Sequence, residues 1–372
     1  MNVPAHPNGI LLRLPPLAIL DLDGNDATAI LHNLTTNQVK TLDLESEDNP
    51  GVGIETFITN VKGKCLGHVL AFRTSTGFRL IGAGPSGDSP SNDDPVRASQ
   101  SETIAGHADR YTIREDAVPT IMDGRYQGWL MAGVSQPSTA PELSRRSVVV
   151  EGVEVSSYVV PWAKSADGQL ARLLLIPIEA KVHMDAILDA FAQAGVIADA
   201  DNVRLINGES AVAIFHALRV AAGFPWYGID LDDSHLPQEV GRERQTISFT
   251  KGCYLGQETV ARLDALGQVQ KMLMAWSIDL PPDAPLPQPD AKLFAGGEKP
   301  VGRLTSIARF DDSLRNLLPP SLVPEGIAGG AAALALGYAR RSHFAPGSMA
   351  TGIVGDVEFN ATIVPLATDQ GV

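Results

Sequence analysis

One cysteine of the chain lies where its neighbours favour chemistry. Cys253 stands in the segment TKGCYLGQETVARL, residues 250–263, two positions after Lys251 and shortly before a predicted helix. A nearby cation and the positive end of a helix both stabilise the thiolate, which is the nucleophilic and metal-binding form of cysteine. The residues alone leave two interpretations open: a reactive thiol, or a small apolar core residue, as free cysteines often are.

Three local elements should position this thiol. The residues TISF at 246–249 predict a strand, and Gly252 would permit a sharp turn after it. The stretch LGQETVARLDALG predicts a helix that ends near Gly267, with Glu258 and Arg262 paired four residues apart on its surface. The cysteine would then lie close to the amino-terminal end of this helix.

The first 267 residues predict strands and helices that alternate irregularly, which favours an α+β fold over a regular doubly wound sheet. The expected elements are a strand and a helix over 17–42 with Asp26 as N-cap, antiparallel strands over 54–84, a helix leading into a strand over 107–123, a hairpin over 147–162 that turns at Glu151 and Gly152, and amphipathic helices over 184–199 and 210–224, the first ended by Gly195 and the second capped by Ser210 and ended by Gly223.

Beyond residue 267 the pattern changes. Short strand-like segments alternate with Pro- and Gly-rich breaks, including PPDAPLPQPD at 281–290, and this predicts a small β-barrel or sandwich. We therefore divide the chain into an α+β module, residues 1–267, and a carboxy-terminal β-domain, residues 268–372.

Composition disfavours several classes of function. The 372 residues include 29 basic and 43 acidic ones, and the formal charge of −14 opposes binding to nucleic acid or to an anionic membrane. The two cysteines, Cys65 and Cys253, give neither zinc spacing nor a disulfide framework. The first residues lack the basic region of a signal peptide, and no apolar run reaches the length of a membrane span. We expect a soluble cytoplasmic protein.

The segment KGCYLGQE at 251–258, continued by TVAR, resembles the signature of the YgfZ branch of the aminomethyltransferase (glycine cleavage T-protein, GcvT) folate-binding superfamily. Five further segments resemble this family in the expected order: LTTNQVKTL at 34–42, with Gln38 where aspartate is usual, NVKGKCLGHVLAFR at 60–73, ADRYTIREDAV at 108–118, LRVAAGFPWYGIDLDDSHLPQE at 218–239 and ALGYARRSHFAPGSM at 335–349. The resemblance covers most of the chain. Residues 84–100 and 311–330 do not fit it and look like insertions.

The resemblance implies a ring of two interleaved α+β subdomains and a carboxy-terminal β-barrel around a central cleft for tetrahydrofolate. In this branch the signature cysteine is associated with activity, and the proteins help to assemble or repair iron–sulfur clusters, including those of enzymes that modify tRNA. Thiolate is the natural ligand of such clusters, so Cys253 is expected to be a transient cluster ligand. One thiol cannot hold a cluster alone, so cluster carrier proteins and client iron–sulfur enzymes are the expected partners.

Folate combines a flat polar pterin, an aromatic linker and an anionic glutamate tail, so its site needs an apolar slot, a few hydrogen-bonding groups and a cation. The resemblance makes Arg219 the candidate for the tail carboxylate, with a surface position as the alternative. Trp226 and Tyr227 could stack along the slot, or simply pack in the core. The resemblance also implies that Asn37, Gln257 and Arg262 contact the cofactor. Lys251 is expected to take part in the chemistry beside Cys253.

One departure from the family bears on the type of activity. Aminomethyltransferases of the superfamily carry an aspartate after the glycine turn that KGKCLGHVL matches, whereas this chain has Gly67 and His68 there. The missing acid favours an accessory protein without transferase activity. The alternatives are a folate-dependent aminomethyl or one-carbon transferase in which His68 replaces the carboxylate, and a scaffold that has lost folate. An imidazole in a strand is more often a structural residue, and Cys65 is most simply a core residue of the same strand.

Overall fold

The computed structural model describes residues 7–46, 49–84, 99–135, 142–198, 202–267, 269–324 and 332–365. Eleven strands belong to the first 206 residues: β1 (Gly9–Arg13), β2 (Ala18–Asp23), β3 (Gly51–Thr59), β4 (Cys65–Arg73), β5 (Gly77–Gly82), β6 (Val118–Ile121), β7 (Tyr126–Ala132), β8 (Ser144–Val150), β9 (Val153–Lys164), β10 (Leu170–Pro177) and β11 (Val203–Ile206). Six more follow: β12 (Lys271–Asp279), β13 (Lys292–Leu293), β14 (Gly302–Arg309), β15 (Ala332–Arg340), β16 (Met349–Val354) and β17 (Val357–Val364).

The described part of the chain contains seven α-helices. They are α1 (Ala27–Leu34), α2 (Gln100–Tyr111), α3 (Met184–Gln193), α4 (Gly208–Ala221), α5 (Glu243–Thr246), α6 (Gln257–Leu266) and α7 (Asp312–Arg315), with short 3₁₀ turns at Pro237–Val240, Pro320–Leu322 and Arg341–His343. None of the described helices has the length and apolarity that crossing a membrane requires.

The first eleven strands form one sheet of two interleaved halves, in the order β11-β1-β7-β10-β9-β8-β3-β4-β5-β2-β6. The chain begins one half with β1, builds the other half with β2 to β6, and then returns to the first with β7 to β11. The halves join where β3 pairs with β8 at Gly51 and Val52. This confirms the expected interleaved α+β architecture.

Helices cover the sheet and close its cores. Leu173, Leu174 and Leu175 of β10 are all fully buried, because the first and last pack in the core shared with α4 and the middle one packs against α3. In the other half, α1 and α2 pack on the strands that surround β4. Because successive side chains of a strand point to opposite faces of the sheet, one strand contributes to two apolar cores.

Most local predictions are confirmed. The β8–β9 hairpin turns at Glu151 and Gly152, both with positive φ, as the favoured two-residue turn requires. Gly195 ends α3 at φ 66°. Ser210 is not the cap of α4, since the helix begins at Gly208 and Asn207 precedes it.

The carboxy-terminal strands form a nearly closed barrel, in the order β13-β14-β15-β12-β17-β16. Phe294, which follows β13, exchanges two backbone hydrogen bonds of 2.8 and 2.7 Å with Thr351 of β16, and these bonds join the ends of the sheet. Trp276, Leu304 and Phe359 fill the interior. The predicted barrel is confirmed, and the domain boundary at residue 267 stays a prediction.

The two proposed insertions differ in what can be described. Residues 85–98 lie outside the described residues, as do 325–330 of the second. Residues 311–324 form α7 and a 3₁₀ turn, and they place Leu318 and Leu322 in the main core.

A buried ion pair joins the barrel to the first module. Arg219 of α4 donates to Asp230 at 2.7 Å and to the Ser306 hydroxyl of β14 at 2.8 Å. The other oxygen of Asp230 accepts from the hydroxyls of Thr305 and Ser306 at 2.5 and 2.6 Å. Asp230 therefore holds three segments of the chain together.

We predict that Asp230→Ala destabilises the protein by about 3–5 kcal/mol, because it leaves the Arg219 guanidinium buried without its anion. Asp233→Ala is the matched control, since this neighbouring aspartate is exposed, and it should change stability by at most about 0.5 kcal/mol. The measurement is the unfolding free energy from denaturant titration. Equal effects of the two substitutions would contradict the assignment.

Candidate functional site

The segment around Cys253, residues 247–256, forms an irregular loop between α5 and α6, which we call the signature loop. The predicted strand at 246–249 is wrong, because Thr246 ends α5 and the following residues are not part of a ladder. The sharp backbone conformation falls on Gly256, with φ 79°, and not on Gly252. A Cβ on Gly256 would lie 2.4 Å from the Asn60 carbonyl oxygen, so only glycine fits. The predicted helix end at Gly267 is confirmed.

Lys251 anchors this loop from inside the protein. Its side chain is buried, and Nζ donates to the carbonyl oxygens of His32 at 2.7 Å, Thr35 at 2.5 Å and Asn37 at 2.9 Å. Burial and the charge of Lys40 lower the pKa of Lys251 to about 7. The three carbonyl oxygens favour the charged form of Lys251, because an ammonium has three N–H groups and can donate to all three oxygens at once, whereas an uncharged amine has only two. Lys251 is thus placed as a structural anchor.

The same two segments are joined by further bonds. The Thr36 hydroxyl donates to the Thr246 carbonyl at 2.6 Å, and the Ser248 amide donates to the Thr36 carbonyl at 3.0 Å. The Asn37 amide donates to the carbonyls of Gln245 at 2.8 Å and Glu55 at 2.9 Å. Both N–H groups of Asn37 are therefore used within the protein, and the cofactor contact expected of Asn37 stays a prediction.

The two cysteines differ sharply in exposure. Cys65 lies in β4 and is fully buried, which raises its pKa well above the ordinary value, whereas Cys253 is exposed. Neither forms a disulfide. Cys253 precedes the first residue of α6 by four positions, so it lies outside the first turn of the helix. The structure supports the reactive alternative for Cys253 in one respect, because its sulfur is not sealed in the core.

His32 lies beside the signature loop. It is buried, and a Cβ built on Gly252 would lie 3.6 Å from its Nε2 atom. Burial, with the charges of Lys251 and Lys40, lowers the pKa of His32 to about 4. No local sequence pattern pointed to His32, because its proximity to the loop depends on how α1 packs against it.

The expected folate contacts are largely occupied elsewhere. Arg219 is 1% exposed and binds Asp230, as described above, so its anionic partner comes from the protein and we no longer assign a ligand carboxylate to it. Trp226 packs edge-on against Trp162 and Phe215. The cavity beside Trp226 and Tyr227 has a volume of about 10 Å³, room for about one water molecule. The packing alternative holds for this pair.

Two further predicted contacts lie on α6. Gln257 is its first residue, and Arg262 pairs with Glu258 at 2.8 Å, as predicted from their spacing. The side chains of Arg262 and Glu258 are 68% and 87% exposed. An exposed pair of this kind contributes a few tenths of a kcal/mol, and Arg262 lies on the outer surface of the helix.

A buried charge cluster escaped the sequence analysis. Arg242 donates through Nε and Nη2 to both carboxylate oxygens of Glu55, at 2.5 Å each, and His68 donates to Glu55 at 2.7 Å. The His68 ring stacks between Phe57 and Phe224, with centroid distances of 4.9 and 5.1 Å. His68 is thus a positioned partner of Glu55, in agreement with its structural alternative.

The charges of this cluster reinforce one another. Burial by itself would raise the pKa of Glu55, but the Arg242 guanidinium and the hydrogen bonds from Arg242 and His68 outweigh it and lower the pKa to about 2. The only sequence signals were a glutamate in the strand GIETFIT and an arginine in GRERQT. These residues are 187 positions apart, so no local pattern could pair them.

The cluster forms one wall of a cavity of about 310 Å³. Its lining includes Arg242, Arg244, Lys164 and Gln245, and neither Cys253 nor Lys251 belongs to it. Ligand cavities of proteins have volumes of about 300–1,000 Å³, so this one can accept a small molecule. Within the described ranges, no group of three or more His, Cys, Asp and Glu side chains is arranged to hold a metal ion.

Curated proteins match parts of the chain. A "tRNA-modifying protein YgfZ" of Colwellia psychrerythraea is 38% identical over 69 residues, which are 18% of this chain and 21% of that protein. A protein of the same name from Vibrio vulnificus is 32% identical over 117 residues, or 30% and 35% of the two chains. An uncharacterized protein of Haemophilus influenzae is 27% identical over 111 residues, or 29% and 40%. The matches therefore span about a fifth to two fifths of these relatives. No protein-family model matches the chain.

One solved structure is similar over nearly the whole chain. The glycine cleavage system aminomethyltransferase T from Bartonella henselae superposes with a TM-score of 0.68, covering 97% of this chain and 86% of that one at 11% identity. At this identity the likeness concerns the fold, and it confirms the expected GcvT-like architecture. The YgfZ-named relatives and this fold together confirm the resemblance drawn from the sequence.

We predict that Lys251→Met loosens the signature loop, because three buried carbonyl oxygens lose their donor, at a cost of about 2–4 kcal/mol in stability. Amide hydrogen exchange over residues 250–256 should accelerate at the same time. Lys62→Met is the control, since Lys62 is exposed. Unchanged exchange in the Lys251 variant would show that the anchor is dispensable.

We predict that Glu55→Gln costs about 3–5 kcal/mol at neutral pH, because Arg242 loses its buried anion. The folded pKa of Glu55 is about 2, below the ordinary 4.5, so its pairing stabilises the protein above pH 4.5 and is lost as the pH falls through 2. The difference between wild type and variant should therefore shrink over this range in urea titrations. Glu258→Gln is the exposed control. A difference independent of pH would refute the pairing.

Proposed function

Because the chain is related in sequence to YgfZ proteins and has the fold of aminomethyltransferase T, we propose that it is a tetrahydrofolate-binding accessory protein that acts through the Cys253 thiol in the assembly or repair of iron–sulfur clusters. The name of these relatives, tRNA-modifying protein, favours iron–sulfur enzymes of tRNA modification as clients. The formal charge of −14 argues against non-specific binding of this protein to nucleic acid.

The observation that carries this proposal is the exposure of Cys253 on a firmly anchored loop. Lys251, two residues earlier, is fixed by three carbonyl oxygens, and the Leu255 amide, two residues later, donates to the Asn33 carbonyl at 2.9 Å. The thiol is therefore presented between two fixed points. A partner can approach it without unfolding the loop.

Cluster chemistry at this thiol requires a second protein. An iron–sulfur cluster is commonly held by four cysteine thiolates, and Cys65 cannot join Cys253 because it is sealed in the core. Cys253 would supply one ligand during transfer or repair, and a carrier or client would supply the others. The cluster is thus a substrate that passes through the complex.

The transferase alternative has weaker support. At the position where aminomethyltransferases carry an aspartate, His68 donates to Glu55 and stacks between two phenylalanines. Glu55 is a carboxylate, but Arg242 engages both of its oxygens. The Arg242 pair leaves no free carboxylate at this position, which favours the accessory role.

The test is complementation of a strain that lacks this protein. Wild type and Cys65→Ala should restore an iron–sulfur-dependent tRNA modification, measured by mass spectrometry of nucleosides, whereas Cys253→Ser should fail although it folds normally. Full restoration by Cys253→Ser would refute the thiol mechanism.

Folate binding is tested separately by thermal unfolding. Saturating 5-formyltetrahydrofolate, at about 100 times its dissociation constant, should add about 2.7 kcal/mol to the stability of wild type and of Cys253→Ser alike. No shift in either protein would indicate a scaffold without folate.

A further inference from the structure

We infer that the surface around Cys253 is a docking site for a protein partner that presents acidic and apolar side chains. The inference deepens the function proposed above, on which the identity of the partner rests, by stating the chemistry of the partner's surface. Three segments of the chain, residues 33–42, 60–64 and 246–256, define this surface, which we call the cysteine face.

The three segments are held against one another. The Leu255 amide donates to the Asn33 carbonyl at 2.9 Å, which joins the third segment to the first. A Cβ on Gly63 would lie 3.1 Å from the carbonyl oxygen of Gly256, so the second segment packs directly on the signature loop. The segments therefore adjoin one another around the thiol.

The cysteine face is basic in an acidic chain. Its segments contain four lysines, Lys40, Lys62, Lys64 and Lys251, and all 43 acidic residues of the chain lie outside them. Lys40 and Lys62 are exposed, Lys64 is half-buried, and Lys251 lies beneath the surface. In a chain whose formal charge is −14, this local excess of positive charge favours an acidic partner over a basic one.

No carboxylate of the described residues neutralises these lysines by an ion pair. Lys64 donates to the Ser234 carbonyl at 2.6 Å, and Lys251 donates to the three carbonyl oxygens described above. A carbonyl oxygen satisfies an ammonium group without cancelling its charge. Burial and the charge of Lys40 both lower the pKa of Lys251, so the exposed Lys40 acts on the signature loop electrostatically.

Charged residues next to the three segments do not reverse the sign. Glu258, the second residue of α6, pairs with Arg262 at 2.8 Å. When Asp43 and the charged residues from Glu243 to Asp264 are included, six cationic side chains stand against four carboxylates. The surroundings of the thiol therefore keep a positive charge.

Two exposed apolar side chains favour a protein as the occupant. Phe249 of the signature loop is 48% exposed, and Val61 of the second segment is 64% exposed. Exposed aromatic side chains are common anchors of protein interfaces. A nucleic acid is bound mainly through many phosphate contacts, whereas the three segments expose two lysines. A partner with carboxylates around an apolar centre matches both features.

The cysteine face is formed before a partner arrives. Gly256 has φ 79°, and a Cβ there would lie 2.4 Å from the Asn60 carbonyl oxygen, so the backbones of loop and turn are in direct contact. Lys251 fixes the same loop from inside. Docking then has to order side chains but not backbone, which lowers the entropy cost of association.

The experiment measures how fast Cys253 of the full chain is captured by three peptides that differ in charge. Each peptide has a central cysteine held as a mixed disulfide with thionitrobenzoate, two flanking leucines and four outer residues, which are all glutamate, all glutamine or all lysine. The Cys253 thiolate attacks the sulfur of the peptide, a new disulfide joins peptide and protein, and thionitrobenzoate leaves with the bonding electron pair. Its absorbance gives the rate, which is divided by the rate of the same peptide with 2-mercaptoethanol.

At low ionic strength the glutamate peptide should react at least about tenfold faster than the lysine peptide, because a local field steers the approach of charged molecules. The ratio should fall towards one in 1 M salt, where the Debye length is about 3 Å. The net charge of the chain predicts the opposite order, so equal rates, or a faster lysine peptide, overturn the proposal. Cys253→Ser should give no reaction, since Cys65 is buried.

Charge variants locate the effect. Lys40→Glu combined with Lys62→Glu should abolish the preference for the glutamate peptide. Lys292→Glu combined with Lys299→Glu is the matched control, because both lysines are exposed in the carboxy-terminal domain and the net charge changes equally. The control pair should keep the preference. Equal loss in both pairs would show an effect of net charge alone and overturn the proposal.

The apolar part of the face is tested in the same assay. Phe249→Ser should slow capture of the glutamate peptide about fivefold, as expected when an aromatic anchor of an interface is lost. Ile353→Ser is the control, since Ile353 is 72% exposed on β16, and it should react as wild type does. Equal rates of the two variants would overturn the apolar part of the proposal.

A short RNA hairpin, added as a competitor, tests the alternative occupant. If the hairpin blocks capture of all three peptides and the glutamate peptide has no advantage, the face binds nucleic acid and the proposal is overturned. The outcome is separable from complementation. Equal peptide rates, with complementation that still requires Cys253, refute the docking inference alone, whereas a retained preference with full complementation by Cys253→Ser refutes the thiol mechanism.

Discussion

The buried ammonium of Lys251 is the interaction on which the candidate site depends. It donates to three carbonyl oxygens of residues 32–37, so two segments more than two hundred residues apart in the chain become one structural unit. Carbonyl oxygens at the end of α1 need donors, and a lysine that leaves water needs acceptors. Each satisfies the other, and Cys253, two residues after Lys251, lies at the surface.

A second buried charge arrangement shapes the centre of the fold. Where the resembling transferases carry an aspartate, this chain places His68 and completes the site with Glu55 and Arg242. The carboxylate is therefore present but neutralised, and the arginine has donors to spare. The pairing leaves no free carboxylate for proton transfer, which favours the proposed accessory role over that of a transferase.

Much of the fold followed from local patterns. The helices α3 and α6, the Glu151–Gly152 hairpin and the barrel strands were predictable because apolar periodicity and left-handed glycines act over a few residues. The strand predicted at 246–249 failed because hydrogen bonds to Thr36 and Asn37 hold that segment. No local pattern could show that Arg219 and Trp226, the residues expected at a folate site, have partners within the core, Asp230 and Trp162.

The sequence by itself determined the family resemblance, the α+β module, the barrel and the choice of Cys253 over Cys65, since these rest on short motifs and on periodicity. Only the tertiary structure decided that Lys251 is an anchor, that Arg219 is an internal tie and that Arg242 faces a cavity. The physical reason is that a buried charge acquires its role from its partners, and folding brings these together from distant parts of the chain.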